Sequence, residues 1–304
     1  MVENDPFAGL AEWAAKTERK VHRRRLLRRL PAFLGVAVVL GLLAFATPAV
    51  WRALTTDYEQ PHSTVTLPAT TDPFAGTPAA AYPKGAAGIT MPAATAVAGF
   101  TVSHVDAALR KVRQALIAAR LDPRMLTGHD PSGLITLLAA NQREKVRREF
   151  RDRTFLSFAT WIDPAVRLDP HEQPRVSGRV TYRSVTVDGL RTLRVITNFV
   201  WVYAFDRADR ADRPLAAAHE EIHWEFPSTA NLQAGDHGMW LGDVQGYTAW
   251  VDCAAADRGL LAPTPPGPAP TDDEDLLRAD HTLDIDGNCR TTSNLPRHGT
   301  HRTG

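Results

Sequence analysis

His219-Glu220-Glu221-Ile222-His223 is the one stretch of this 304-residue chain whose residue types and spacing could hold a metal and activate water. It matches H-E-x-x-H. On a helix, two histidines four apart share a face and can ligate Zn²⁺, while the intervening Glu polarises the metal-bound water. Under that reading the chain is a zinc metallohydrolase, with His219 and His223 as ligands and Glu220 as base. The neighbouring residues point to a different element. Ile222, Trp224 and Phe226 recur at period two, which predicts a strand. A strand sends His219, Glu221, His223 and Glu225 to one face and Glu220 to the other, away from any metal the histidines could bind.

Further context weighs against the peptidase. The motif favours an uncharged residue where Glu221 stands, and neither the Gly nor the third His of a metzincin follows. His237 is a conceivable third ligand without recognised spacing. Asp284-Ile285-Asp286-Gly287-Asn288 has the start of a calcium loop but lacks its third ligand, its placed Gly and its closing Glu. There is no G-x-S-x-G, Walker A, G-x-G-x-x-G or S-x-x-K pair. His104, His129 and His171 are scattered and read as surface residues. The expectation is therefore no catalytic residue, no metal ligand and no cofactor.

The elements that position these residues begin with a membrane signal. Arg23, Arg24, Arg25, Arg28 and Arg29 stand directly before Pro31–Trp51, a 21-residue run without charge. About 20 apolar residues cross a bilayer core as a helix. Residues 16–29 carry eight Lys or Arg, whereas Arg52 stands nearly alone beyond the run. Because Lys and Arg collect on the cytoplasmic flank, this places residues 1–30 inside and 52–304 outside. Ala44-Phe45-Ala46 is also an A-x-A-like cleavage site. The basic region of about 30 residues before the run favours an uncleaved anchor over a signal peptide. Beside an anchor, topology and anionic headgroups account for the arginines, so no nucleic-acid partner is expected. The net charge of +1 hides this local asymmetry.

Two cysteines, Cys253 and Cys289, fall on the expected outer side. There a lone pair is most simply a disulfide, and neither lies in a C-x-x-C metal spacing.

Beyond the run, residues 52–98 are rich in Pro, Thr and Ala and read as a linker. Within it, Asp72-Pro73-Phe74-Ala75-Gly76 repeats Asp5-Pro6-Phe7-Ala8-Gly9, which we take as a coincidence of composition. Val105, Leu109, Val112, Leu116 and Ala119 predict an amphipathic helix over 102–120, with Ser103 and Asp106 as a capping box. A second helix starts at Asp130-Pro131, and the basic run Arg143, Lys145, Arg147, Arg148 reads as its solvated face. From Thr154 the pattern changes to strands, with Val176, Val180 and Tyr182 alternating with polar residues. A bulge is expected at Ser184-Val185, and Asp188-Gly189 signals a hairpin. The return strand carries Phe199, Trp201, Tyr203 and Phe205 on one face and Val200, Val202 and Ala204 on the other, which predicts a central strand with helices over at least one face. A last strand is expected through Tyr247, Ala249 and Val251 to Cys253, followed by a Pro-rich and acidic tail over 259–304.

Asp72-Pro73-Phe74-Ala75-Gly76-Thr77-Pro78-Ala79, Ala119-Arg120-Leu121-Asp122 and Val202-Tyr203-Ala204 resemble motifs of a group of single-span actinobacterial membrane proteins. The likeness covers most of residues 70–265, and its motifs bring no activity with them. The layout also looks like that of Mce-associated proteins and type IV secretion scaffolds. That resemblance implies an α+β fold: a transmembrane helix, then an NTF2-like or cystatin-like domain over 99–258, with helices on a curved antiparallel sheet. The role it implies is a membrane-anchored, extracytoplasmic binding or assembly module of the cell envelope with a protein partner. The alternatives are the zinc hydrolase and a carrier of a small apolar ligand, its pocket lined by Trp201, Tyr203 and Trp224.

Overall fold

A computed structural model describes residues 72–206, 214–228, 232–265 and 274–284, and the backbone of 290–293. Every described residue belongs to one compact unit, Leu67–Gly304. The arginine cluster, the apolar run 31–51 and the first Asp-Pro-Phe-Ala-Gly copy lie outside the described residues. Among the described residues, no helix is long and apolar enough to cross a membrane.

The unit is α+β. Helix α1 (Val102–Arg120) buries Val105, Leu109, Val112, Leu116 and Ala119, the stripe expected from their spacing. Its cap differs from expectation. Thr101, extended at ψ 163°, accepts the His104 amide, so Ser103 already lies inside the helix and Asp106 pairs with Arg110 instead. Asp122-Pro123 then starts the single turn α2 (Pro123–Leu126), with Asp122 capping the Arg124 amide.

The second expected helix is two. α3 (Ser132–Leu137) begins where Asp130 Oδ1 accepts the Ser132 amide at 2.9 Å. The chain then leaves helical geometry at Leu138 and Ala139, and the Ala139 amide bonds the Met239 carbonyl at 2.8 Å. α4 (Ala140–Asp152) follows and ends at Arg153, which is left-handed at φ 62°.

Five antiparallel strands lie in sequence order: β1 (Arg175–Val187), β2 (Leu190–Ala204), β3 (Leu215–Pro227), β4 (Trp240–Ala249) and the short β5 (Arg290–Ser293). Asp188 (φ 48°) and Gly189 (φ 80°) turn β1 into β2 with both central residues left-handed, the geometry that matches strand twist. No bulge occurs at Ser184-Val185, because pairing runs unbroken from Arg175↔Val202 to Val187↔Leu190. The irregularity sits instead between β3 and β4, at Ile222 and Trp224. β4, expected to run on to Cys253, stops at Ala249, since Trp250 turns left-handed (φ 58°). A single turn, α5 (Cys253–Ala256), follows.

Each sheet face has its own core. The helices cover the face carrying Leu193, Val195, Phe199, Trp201, Tyr203, Phe205, Ile222 and Trp224. On the reverse face, Val200, Val202, Ala204, Leu215, Ala217, Tyr247 and Ala249 pack against Phe74, Ala79, Leu276 and Leu277. The linker reading is thereby corrected for residues 72–98. Phe74 and Ala79 are fully buried, and Ile89 is nearly so. The Asp72 carboxylate accepts the Phe74 amide at 2.9 Å, Thr77 Oγ1 donates to the Phe74 carbonyl, and the Arg175 guanidinium lies 4.8 Å over the Phe74 ring. Composition suggested chain that could not fold alone. The apolar reverse face of β2 and β3 gives this segment a surface to fold upon.

Candidate functional site

His219, Glu220 and His223 lie on β3, so the zinc-peptidase arrangement does not form. Residues four apart on a strand are about 13 Å apart along it, too far for two rings to share one ion. Among the described residues, no group of three His, Cys, Asp or Glu could hold a metal ion. His237 follows a short 3-10 turn before β4 and is not brought to the pair.

His219 belongs to the reverse-face core. Its Nδ1 lies 3.0 Å from the Tyr247 hydroxyl and its Nε2 lies 3.0 Å from Asn198 Oδ1. The Tyr247 hydroxyl also donates to the Leu276 carbonyl at 2.8 Å, so this network ties the sheet to the tail turn that covers it. Burial pushes the His219 imidazole down to about 4, and the positive charges of His281 and Arg179 add to the effect. The ring is therefore neutral at neutral pH.

Glu220 points the opposite way, into the helix-side core. Trp201 Nε1 donates to its Oε1 at 2.5 Å. Its Oε2 lies 3.1 Å from Arg120 Nη2 as an ion pair, with no hydrogen bond formed. Arg120, only 1 % exposed, donates to the Ala159 carbonyl (3.1 Å), Thr160 Oγ1 (2.7 Å) and the Leu156 carbonyl (3.0 Å). Tyr203 completes the network. Its hydroxyl donates to the Arg120 carbonyl at 3.0 Å and meets Thr160 Oγ1 at 3.1 Å. Burial raises Glu220 to about 7 against the lowering effects of Arg120 and Trp201, and raises Tyr203 to about 12. The Glu read as a possible base is therefore a sealed structural carboxylate. Arg120 was missed as a core residue, although it stands four residues after Leu116, on the edge of the apolar stripe.

His223 is partly exposed. Its Nε2 lies 3.4 Å from Glu221 Oε1 and its Nδ1 lies 3.5 Å from Asp243 Oδ2. On the same face, Arg194 pairs with Glu225. The expected ligand pocket of Trp201, Tyr203 and Trp224 is also corrected. All three are fully buried, and Trp224 Nε1 donates to Thr197 Oγ1 at 3.0 Å, so these rings fill the core. His129, expected at the surface, stacks on Trp161 at 4.7 Å between centroids.

Two open pockets lie elsewhere. One of about 400 Å³ is lined by Pro131, Arg147, Phe150, Arg151, Arg153 and Trp161. The other, about 370 Å³, lies where Arg179 of β1 meets Tyr82 and Arg278. Neither was legible in the sequence, because each joins residues from separate elements. Cys253 is disulfide-bonded, at the start of a turn whose Ala254 amide is capped by Asp252. Cys289 and most of the calcium-like fragment lie outside the described residues. No family model, curated protein or solved structure matches this chain.

Proposed function

We propose that the protein is a membrane-anchored, extracytoplasmic binding or assembly module of the bacterial cell envelope. In this reading a single span over 31–51, oriented by Arg23, Arg24, Arg25, Arg28 and Arg29, carries an NTF2-like domain outside. The observation that carries it is the division of His219 and Glu220 between opposite faces of β3. Each is buried and tied to its own neighbours, so the one catalytic-looking motif serves the framework. The bridge at Cys253 supports an oxidising compartment. A meander sheet with a core on each face suits a rigid platform for a protein partner.

The test has two parts. A C-terminal reporter active only outside the cytoplasm should give signal, and a cytosol-specific reporter there should stay silent. Crosslinking in intact membranes, then detergent extraction and mass spectrometry, should recover a stoichiometric envelope protein. Cytosolic reporter activity at the C-terminus would overturn the topology. Stoichiometric zinc lost on His219→Ala would overturn the non-catalytic reading.

A further inference from the structure

We propose that the free edge of β1 docks an extended acidic segment of a partner protein, which adds to the sheet as a further strand. The proposal rests on the reading of the domain as a binding module and names its partner surface. β1 is an edge strand, paired on one side only, with β2. The two-residue turn makes Val187 and Leu190 the closing pair. Odd-numbered residues of β1 therefore aim their backbone groups at β2, and even-numbered ones aim theirs outward. The start of the strand shows this. The Val176 amide donates to the Pro83 carbonyl at 3.0 Å, and the Gly85 amide donates to the Pro174 carbonyl at 2.8 Å.

Beyond that point the edge is unpaired. Among the described residues, Gly178, Val180, Tyr182, Ser184 and Thr186 make no outward backbone bond. Gly178 is exposed, and a glycine has only backbone to expose, so the edge is open there. The free stretch spans about 30 Å at 3.3 Å per residue, the length of a full strand. The strand is also fixed in place from its helix-side face. The Tyr182 hydroxyl donates to the Ala93 carbonyl at 2.9 Å and accepts the Thr95 amide at 2.8 Å. A partner strand would meet a template already ordered, which lowers the cost of docking. A pocket of about 370 Å³ adjoins the open end at Gly178 and Arg179, walled by Pro78 and Tyr82, and can seat one side chain of the added strand. Its one carboxylate, Asp280, is already bonded by Arg278 at 2.9 and 3.0 Å.

Charge selects the occupant. β1 carries Arg175, Arg179 and Arg183 and no Asp or Glu. Arg175 faces Asp72 and Glu172. Arg179 and Arg183 are exposed, stand four apart on the reverse face, and pair with no carboxylate among the described residues. A second copy of the chain would line such a seam with four unpaired guanidiniums, and like charges across strands repel. A strand with carboxylates four apart on one face would answer both arginines while its backbone takes up the outward N–H and C=O groups. The same arginines thus keep copies apart and admit an acidic strand.

Fluorescence anisotropy on the full-length protein in detergent micelles tests this with a labelled decapeptide of alternating Thr and Val that carries Glu at two Thr positions four apart. Two controls are the same peptide with Lys for Glu, and the Glu peptide with Pro at three Val positions. The Glu peptide should bind, and both controls should bind about tenfold or more weakly. Ser184→Pro should weaken the Glu peptide by about tenfold or more, since it removes an outward N–H and obstructs the edge. Its melting temperature should stay near the parent's, because edge strands accept Pro where the N–H faces solvent. Arg179→Glu with Arg183→Glu, both at exposed positions, should reverse the preference towards the Lys peptide, and this variant reads the edge even if Ser184→Pro unfolds. The N-terminal arginines are common to all variants, so differences from the parent report β1. No binding, equal binding of the Pro peptide, or no reversal in the double variant would overturn the proposal. So would self-association lost on Ser184→Pro without peptide binding, which would give the edge to a second copy. The titration is blind to which side of a membrane the domain occupies. A failed topology reporter would leave it standing, and a failed titration would leave the topology untouched.

Discussion

Glu220 Oε2 lies 3.1 Å from Nη2 of Arg120, joining the last turn of α1 to the middle of β3 with both side chains at 2 % exposure or less. Removing one member of a buried pair leaves an uncompensated charge, which costs about 3–5 kcal/mol. Arg120→Met should therefore destabilise the protein by about that much in urea denaturation. Glu220→Gln should cost less, because Gln mimics the protonated acid that burial favours. The double variant should recover part of the Arg120→Met loss. Additive losses would show that the two groups are not coupled.

Glu220 and His219 also set opposing pH dependences. Glu220 is raised to about 7, above its unfolded value of 4.5. Its contribution is full below 4.5 and is lost as pH rises through 7. His219 is lowered to about 4 from 6.5, so its contribution is full above 6.5 and is lost as pH falls toward 4. Between 4.5 and 6.5 the two slopes, each about 1.4 kcal/mol per pH unit per proton, oppose one another. The parent should show a flat stability profile there. Glu220→Gln should uncover a stability that rises with pH across that window, measured by urea midpoints at half-unit steps. A falling profile in that variant would reverse the assignment.

Phe74→Ala should destabilise the domain by about 3–5 kcal/mol, the cost of emptying an aromatic site in a core. It should also speed proteolysis within 72–98. Thermal unfolding and limited digestion check this. A loss under about 0.5 kcal/mol, the size typical of a surface substitution, would return the segment to the linker it resembles in composition.

Cys253→Ser and reduction of the parent should lower stability by the same amount. In the chain-entropy model, closing the loop from Cys253 to Cys289 is worth about 3–4 kcal/mol. Peptide mapping without reductant should recover the two cysteines in one crosslinked fragment. A mixed disulfide with another molecule would place Cys253's partner outside the chain.

Local patterns in the sequence determined the elements that depend on neighbours along the chain. The four-and-three spacing of Val105 to Ala119 specified α1. Asp188-Gly189 specified the hairpin, because its left-handed dihedrals follow from local sterics. The alternation at Ile222, Trp224 and Phe226 turned the His219 motif from a helix into a strand. The apolar second half of β2, Val200–Ala204, announced a central strand with helices over at least one of its two faces.

Only the tertiary structure decided what covers them. Irregular chain at Phe74 and Leu276 took the reverse face, since burial rewards any apolar group within reach and needs no regular period. Arg120 entered the core because Glu220, one hundred positions later, waited on the facing strand. The larger pocket brought Pro131 beside Arg153 and Trp161 through the packing of separate elements. Such pairings are set by distance in space, and no window along the sequence contains it.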